Sequence, residues 1–170
     1  MHKLRDAPGD IEKDLRTQID AFSGEGKVYV LGLGNTDRSD DGAGILVAEE
    51  LKKHFPAYSY SEHDGVEGTV LDLSEKNEDS TIFFVDAADM GTKPGTIKMI
   101  RKQEIRDSEI TTHRVAVALM ASMLERTGKK SAVVCIQPKS IEFRGKVSDP
   151  VASAIAKVVK AFSHVIKSRG

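Results

Sequence analysis

Four side chains stand out for what they could do chemically. Asp40 and Asp41 are adjacent carboxylates in a glycine-rich stretch, Asp86 follows the apolar run Phe83-Phe84-Val85, and His113 follows a polar loop. Asp41, Asp86 and His113 together make a mixed oxygen and nitrogen donor set. Such a set suits a borderline divalent ion such as Ni²⁺ or Zn²⁺ better than a soft one. Three protein ligands would also leave coordination positions open for a substrate. A carboxylate directly after three apolar residues is costly to bury unless it is paired or holds a metal. Each residue has a plainer reading too. An aspartate at a helix start caps the helix and suits its dipole, Asp86 could be a turn residue satisfied by backbone N–H groups, and His113 could simply begin a helix. Capping explains one of two successive aspartates, not both. His63 and Asp64 form a weaker pair. On a strand, adjacent residues face opposite ways, and Asp64, beside Gly65, is the better candidate.

Positioning these groups requires particular elements. Val28-Tyr29-Val30-Leu31 reads as a buried strand, and Ile45 to Leu51 carries apolar residues at helical spacing. The stretch from Leu31 to Gly44 is therefore a strand-to-helix turn, with the helix starting near Asp41 and ending at about Phe55. Residues 58–64 alternate like a strand. Glu67 to about Leu73 is a short amphipathic helix. Thr81 to Val85 is a central strand covered on both faces, ending at Asp86. Thr96 to Ile100 alternates and reads as an extra, antiparallel strand. A polar loop, 108–113, leads into a helix from about His113, with Thr112 as its cap, to Thr127, with Gly128 as the stop. Ala132 to Ile136 is another buried strand, followed by a loop, and Asp149-Pro150 opens the last helix. Strands alternating with helices predict a three-layer α/β/α domain. Its sheet is mostly parallel and twisted, of about five strands, with helices on both faces. In such sheets ligands bind outside the carboxyl ends of the strands, where Asp40, Asp41, Asp86 and His113 all fall.

Residues 1–25 differ from the rest. Ile11, Leu15, Ile19 and Phe22 form one helical stripe between charged residues, and Ser23-Gly24-Glu25-Gly26 ends it. The reading is an N-terminal helical extension ahead of a single domain over residues 26–170. The chain has 170 residues, 39% of them hydrophobic and 30% charged, which is ordinary for a globular protein. A net charge of −1 gives no reason to expect nucleic acid as a partner. No apolar run is long enough to cross a bilayer and the start is polar, so no membrane role is expected. The single cysteine, Cys135, suits a reducing cytoplasm and lies in an apolar strand as core.

Other chemistries lack their residues. Gly32 and Gly34 resemble the start of a dinucleotide fingerprint, but Asp37 stands at the third glycine, and Asp40 and Asp41 would repel a pyrophosphate. There is no Gly-x-Ser-x-Gly elbow, no His-Glu-x-x-His helix and no phosphate-binding Gly-x-x-x-x-Gly-Lys. No organic cofactor is expected.

The ordered motifs resemble those of the endopeptidases that mature the large subunit of nickel–iron hydrogenases. Gly32-Leu33-Gly34-Asn35, four further residues, then Asp40-Asp41-Gly42-Ala43-Gly44 follow that family's opening. Asp64-Gly65, Phe83-Phe84-Val85-Asp86 with Pro94-Gly95-Thr96, Thr111-Thr112-His113, and Pro138-Lys139-Ser140-Ile141-Glu142 follow its later motifs in order. Two departures are the N-terminal extension and Val66 after the single Gly65, where the family carries a second glycine.

The resemblance implies an enzyme that removes a C-terminal extension from a hydrogenase large-subunit precursor, acting as a monomer. Nickel comes on the substrate and is not a resident cofactor. Asp41, Asp86 and His113 would engage it, with Asp41 also catalytic, and Asn35, Asp40 and Asp64 would contact substrate. A water polarised by the metal or by Asp41 would attack the peptide bond. Two rivals remain. Peptidyl-tRNA hydrolase also opens with Leu-Gly-x-Gly-Asn, but its following segments are missing and an acidic pair disfavours tRNA. A metal- or ligand-binding module without catalysis would bind its ligand and leave any precursor intact.

Overall fold

The computed structural model describes residues 8–107 and 113–169. The sheet is built from β1 (Lys27–Gly32), β2 (Ser59–Ser61), β3 (Ser80–Ala87), β4 (Ile97–Arg101) and β5 (Lys130–Ile136). The spatial order is β2-β1-β3-β5-β4. All neighbours run parallel except β4, which is antiparallel to β5 with Ile97 opposite Ile136. The helices are α1 (Pro8–Ser23), α2 (Ala43–Lys52), α3 (Val66–Glu75), α4 (Lys102–Asp107), α5 (Arg114–Arg126) and α6 (Asp149–Arg169). The three-layer α/β/α expectation therefore holds, with five strands.

Alternation along the strands sorts the core into two halves. Val28, Val30, Phe83, Val85, Val134 and Ile136 face α1, α2 and α6. Tyr29, Leu31, Ile82, Phe84, Val133 and Cys135 face α3, α4 and α5. Side chains at every second strand position share a face, so Asp86, two residues after Phe84, belongs to the α5 side. That places its carboxylate beneath the start of the helix that follows His113.

The N-terminal stripe behaves as its spacing predicts. Leu15 and Ile19 are buried against α6 while Ile11 is more exposed. Three expectations need correction. Residues 58–64 form a strand only over Ser59–Ser61; a 3₁₀ turn follows over Glu62–Asp64. Ser61 accepts from the His63 backbone, and the Asp64 carboxylate accepts from the Ser61 N–H, so a capping box ends the strand early. Asp86 lies within β3, which runs on to Ala87. The short helix α4 was not foreseen. The 108–112 loop and its Thr112 cap lie outside the described residues.

Candidate active site

The turn after β1 is shaped by close approach. A Cβ on Gly32 would lie 2.2 Å from the Gly44 carbonyl oxygen, and one on Gly44 would lie 2.0 Å from that of Val85. Only hydrogen fits at both positions, so the first turn of α2 sits directly on β1 and β3. A 3₁₀ turn over Ser39–Gly42 precedes α2 and carries both aspartates.

The two aspartates have different surroundings. Asp40 is fully buried. Its Oδ2 accepts from the N–H groups of Lys139 (2.8 Å) and Ser140 (3.1 Å) and from the Ser148 hydroxyl (2.8 Å). Its Oδ1 accepts from the Ser148 N–H at 2.7 Å. Burial would raise the pKa of this carboxyl, but the bonds from Ser148, Lys139 and Ser140 outweigh it and hold the group below the ordinary range. Asp41 is half-buried. Its charge is felt by both Asp86 and His113.

Asp86 is fully buried and its Oδ2 lies 3.0 Å from His113 Nδ1. Its Oδ1 is one of four buried side-chain oxygens that take no hydrogen bond among the described residues. Desolvation raises the Asp86 pKa, the His113 contact and the adjacent Ala87 N–H, which makes no full hydrogen bond to Oδ1, oppose this, and the nearby Asp41 charge adds to it. The same hydrogen bond to Asp86 pushes His113 up to about 8, against its own desolvation. At neutral pH the imidazole therefore carries a proton. Nε2 of His113 faces Glu62 Oε1 at 3.5 Å, and that oxygen also accepts from the Gly34 N–H at 3.3 Å. A cavity of about 220 Å³ opens here, lined by Leu33, Glu62, Val66, Glu67, His113 and Met120. A larger hollow of about 820 Å³ lies between α1 and β4. The larger hollow holds no histidine; the smaller one holds His113 beside Glu62 and Glu67, while Asp41 and Asp86 do not line it.

Of the residues singled out from sequence, the structure brings Asp86 and His113 into contact and leaves Asp41 close enough for its charge to act on both. Asn35 is exposed on the same turn, its Oδ1 accepting from the Asp37 N–H at 2.9 Å. Asp40, expected to contact substrate, is fully buried here, with both carboxylate oxygens taken by Lys139, Ser140 and Ser148. Asp64 is likewise engaged internally: Lys52 Nζ lies 2.5 Å away and holds its carboxyl below the usual range, with help from the Ser61 N–H. From the segment after β2 the acid that reaches His113 is Glu62, not Asp64. The Ser61-x-x-Asp64 spacing of a capping box was the signal that could have shown the strand ending before it.

Among the described residues no three His, Cys, Asp or Glu side chains already stand in ligating geometry. The chemistry of the donors is compatible with a divalent cation: Asp86 Oδ1 is buried without a hydrogen bond, His113 touches the same carboxylate, and the Asp41 charge reaches both. Cys135 pairs in register with Asp86 on the next strand. Burial pushes its thiol up to about 12, so it remains a neutral core residue.

The fold and motifs have known counterparts. The crystal structure of a nickel–iron hydrogenase maturation protease, HycI, from Thermococcus kodakarensis superposes with a TM-score of 0.74 at 24% identity, over 89% of this chain and 99% of that one. The crystal structure of a Hydrogenase 3 maturation protease gives 0.65 at 27% identity, over 79% and 87%. In sequence, the Hydrogenase 3 maturation protease of Escherichia coli is 29% identical, over 76% of this chain and 84% of its own length. The hydrogenase expression/formation protein HupD of Bradyrhizobium diazoefficiens is 27% identical, over 87% and 82%. The family model HycI, hydrogenase maturation protease, matches residues 45–164, the span holding Asp86 and His113. With most of its length matched by that model, this chain belongs to the hydrogenase maturation protease family.

Proposed function

We propose that this protease cuts a C-terminal extension from a hydrogenase large-subunit precursor, and does so when nickel is already in the precursor. The observation that carries this reading is the buried Asp86 Oδ1, unpartnered beside His113 and Asp41 at the carboxyl ends of the strands. A folded protein keeps such an acceptor when something else supplies the missing partner. Nickel on the substrate is that partner in this reading, held by Asp41, Asp86 and His113 while the precursor supplies the remaining ligands.

A cation at His113 has to compete with the proton the imidazole holds. Binding at His113 displaces its proton, so engagement releases a proton near neutral pH. Glu62 faces the other ring nitrogen, Nε2, at 3.5 Å, so it can hold the ring's orientation while the displaced proton leaves to solvent. Asp41, half-buried where Asp86 is fully buried, is the carboxylate that can reach a water at the scissile bond.

The test is mass spectrometry of a cognate precursor incubated with the protein, with and without nickel loaded. Loss of a short C-terminal peptide from the nickel-loaded form alone is expected. Cleavage of both forms alike would keep the peptidase and remove nickel recognition. Cleavage of neither would favour a binding module. Asp41→Asn cutting loaded precursor at the parent rate would deny Asp41 a part in the reaction.

A further inference from the structure

The Lys139–Ser148 segment is irregular, yet it is tied along its length to the turn that carries Asp41. Beside the four bonds to the Asp40 carboxylate, the Asp40 N–H donates to the Ser140 carbonyl at 3.1 Å and the Arg144 N–H to that of Asp37 at 2.7 Å. The Ser39 hydroxyl donates to the Lys146 carbonyl at 2.7 Å and Arg38 Nε to that of Ile141 at 3.3 Å. Ser39 and Arg144, one on each side of this junction, are the non-glycine residues with positive φ among those described, at 55° and 60°. Strained backbone of this kind persists where surrounding contacts over-determine it, and it clusters at ligand clamps and active sites.

This ordering does not serve the segment's own apolar side chains. Ile141 is 44% exposed and Phe143 68% exposed. Exposed apolar side chains are ordinary singly, but two large ones two residues apart on a loop held this firmly make a small apolar patch. Around them stand four exposed cations, Arg38, Lys139, Arg144 and Lys146, against two exposed carboxylates, Asp37 and Glu142. None of the four is in an ion pair among the described residues. The Arg144 guanidinium lies 5.3 Å from the Phe143 ring centre, so the aromatic and the charge are offered together. Across the turn the polarity reverses, with Asp41, Asp86 and Glu62 facing His113.

We infer that this loop is the docking element for the protein substrate: Ile141 and Phe143 take an apolar side chain, and Arg38, Lys139, Arg144 and Lys146 take the carboxylates of an acidic segment of the precursor. The inference rests on the proposed function and adds which part of the substrate is read. The two poles orient the complex. The cation carried by the precursor goes to the acidic pole and an acidic, apolar-bearing stretch of its chain to the basic one. Asp40 is the positioning residue in this arrangement. It adjoins Asp41 in sequence and clamps the loop through its own carboxylate, so whatever lies on the loop is delivered beside Asp41.

The experiment is steady-state processing of nickel-loaded precursor by the full chain and two surface variants. Ile141→Ser with Phe143→Ser is expected to raise KM about tenfold with kcat within about twofold, the signature of lost binding energy common to ground and transition states. Arg144→Glu with Lys146→Glu is expected to raise KM similarly, with the increase shrinking in about 0.5 M salt as the charges are screened. All four side chains are exposed, so melting temperatures should stay within about 2 °C of the parent. An unchanged KM in either pair, with the parent cutting the precursor, overturns this inference and leaves the proposed function standing. A parent protein that cuts no loaded precursor overturns the proposed function, and this inference with it.

Discussion

Asp40 and Asp86 are both completely shielded from solvent, and both stand at the carboxyl ends of neighbouring parallel strands. Their partners differ. Asp40 receives four hydrogen bonds and its carboxyl is held below the ordinary range. Asp86 has His113 on one oxygen and no hydrogen bond on the other, and its carboxyl is pushed up. Burial alone therefore does not mark a functional carboxylate. A saturated buried acid such as Asp40 is part of the scaffold; an unsaturated one is not a site by that alone, since Glu12 in α1 also has an unbonded oxygen, and what sets Asp86 apart is the His113 contact and the Asp41 charge beside its open oxygen.

The largest expected effect comes from Asp86→Asn. If the unfilled oxygen exists to meet the substrate's cation, processing should fall by at least about 100-fold, or about 2.7 kcal/mol in the barrier. The fold should hardly respond, because the buried charge is already unfavourable there. A melting temperature within about 4 °C of the parent is expected. Severe unfolding of this variant would mean that Asp86 is scaffold like Asp40, and the comparison would collapse.

Asp40→Asn should behave the other way. An amide –NH₂ would face the N–H groups now bound by the carboxylate, leaving buried donors unsatisfied at a cost of about 3 kcal/mol. For a chain of this size that lowers the melting temperature by about 6–12 °C, measurable by calorimetry. The loss of processing by the folded fraction should be smaller than for Asp86→Asn. A variant as stable as the parent would show that the loop is held by its other bonds.

Acid titration sharpens the contrast, because the two groups enter with opposite signs. Asp40's folded pKa is lowered, so its stabilisation is fully present above the unfolded value of about 3.9 and is lost as pH falls through the folded value. Asp86's folded pKa is raised, so it opposes folding when ionised, and that penalty is relieved as pH falls through its folded value. In urea unfolding across the acid range, Asp86→Asn should lose stability more steeply than the parent with falling pH, and Asp40→Asn less steeply. Parallel profiles for all three would remove the distinction.

How far the sequence alone could reach follows the same division. The order of strands and helices was readable because apolar runs and helical stripes are local, as in Phe83-Phe84-Val85 or Leu15 and Ile19. That Asp86 and His113 meet, with Asp41 on the neighbouring turn, was readable because topology sends strand ends to one rim. Asp40's fate was not, since its donors lie 99 to 108 residues away. Glu62 was missed because alternation continued through Ser61, where a capping box overrode it. The six residues of α4 bury Ile105 and are too few to show a helical period.

The smallest expected effect separates the clamp's parts. Ser148 contributes two of Asp40's four bonds, one from its backbone N–H and one from its hydroxyl. Ser148→Ala removes the hydroxyl alone. Oδ2 keeps the Lys139 and Ser140 N–H groups and Oδ1 keeps the Ser148 N–H, so neither oxygen is orphaned. The loss should then be that of one hydrogen bond to a charged acceptor, about 1.5 kcal/mol, or about 3–6 °C in melting temperature. Asp40's pKa should rise toward the ordinary value, because one of the bonds that lowers it is gone. A loss as large as that of Asp40→Asn would mean that the Ser148 hydroxyl, and not the backbone N–H groups, supplies most of what the Asp40 carboxylate contributes to holding the loop.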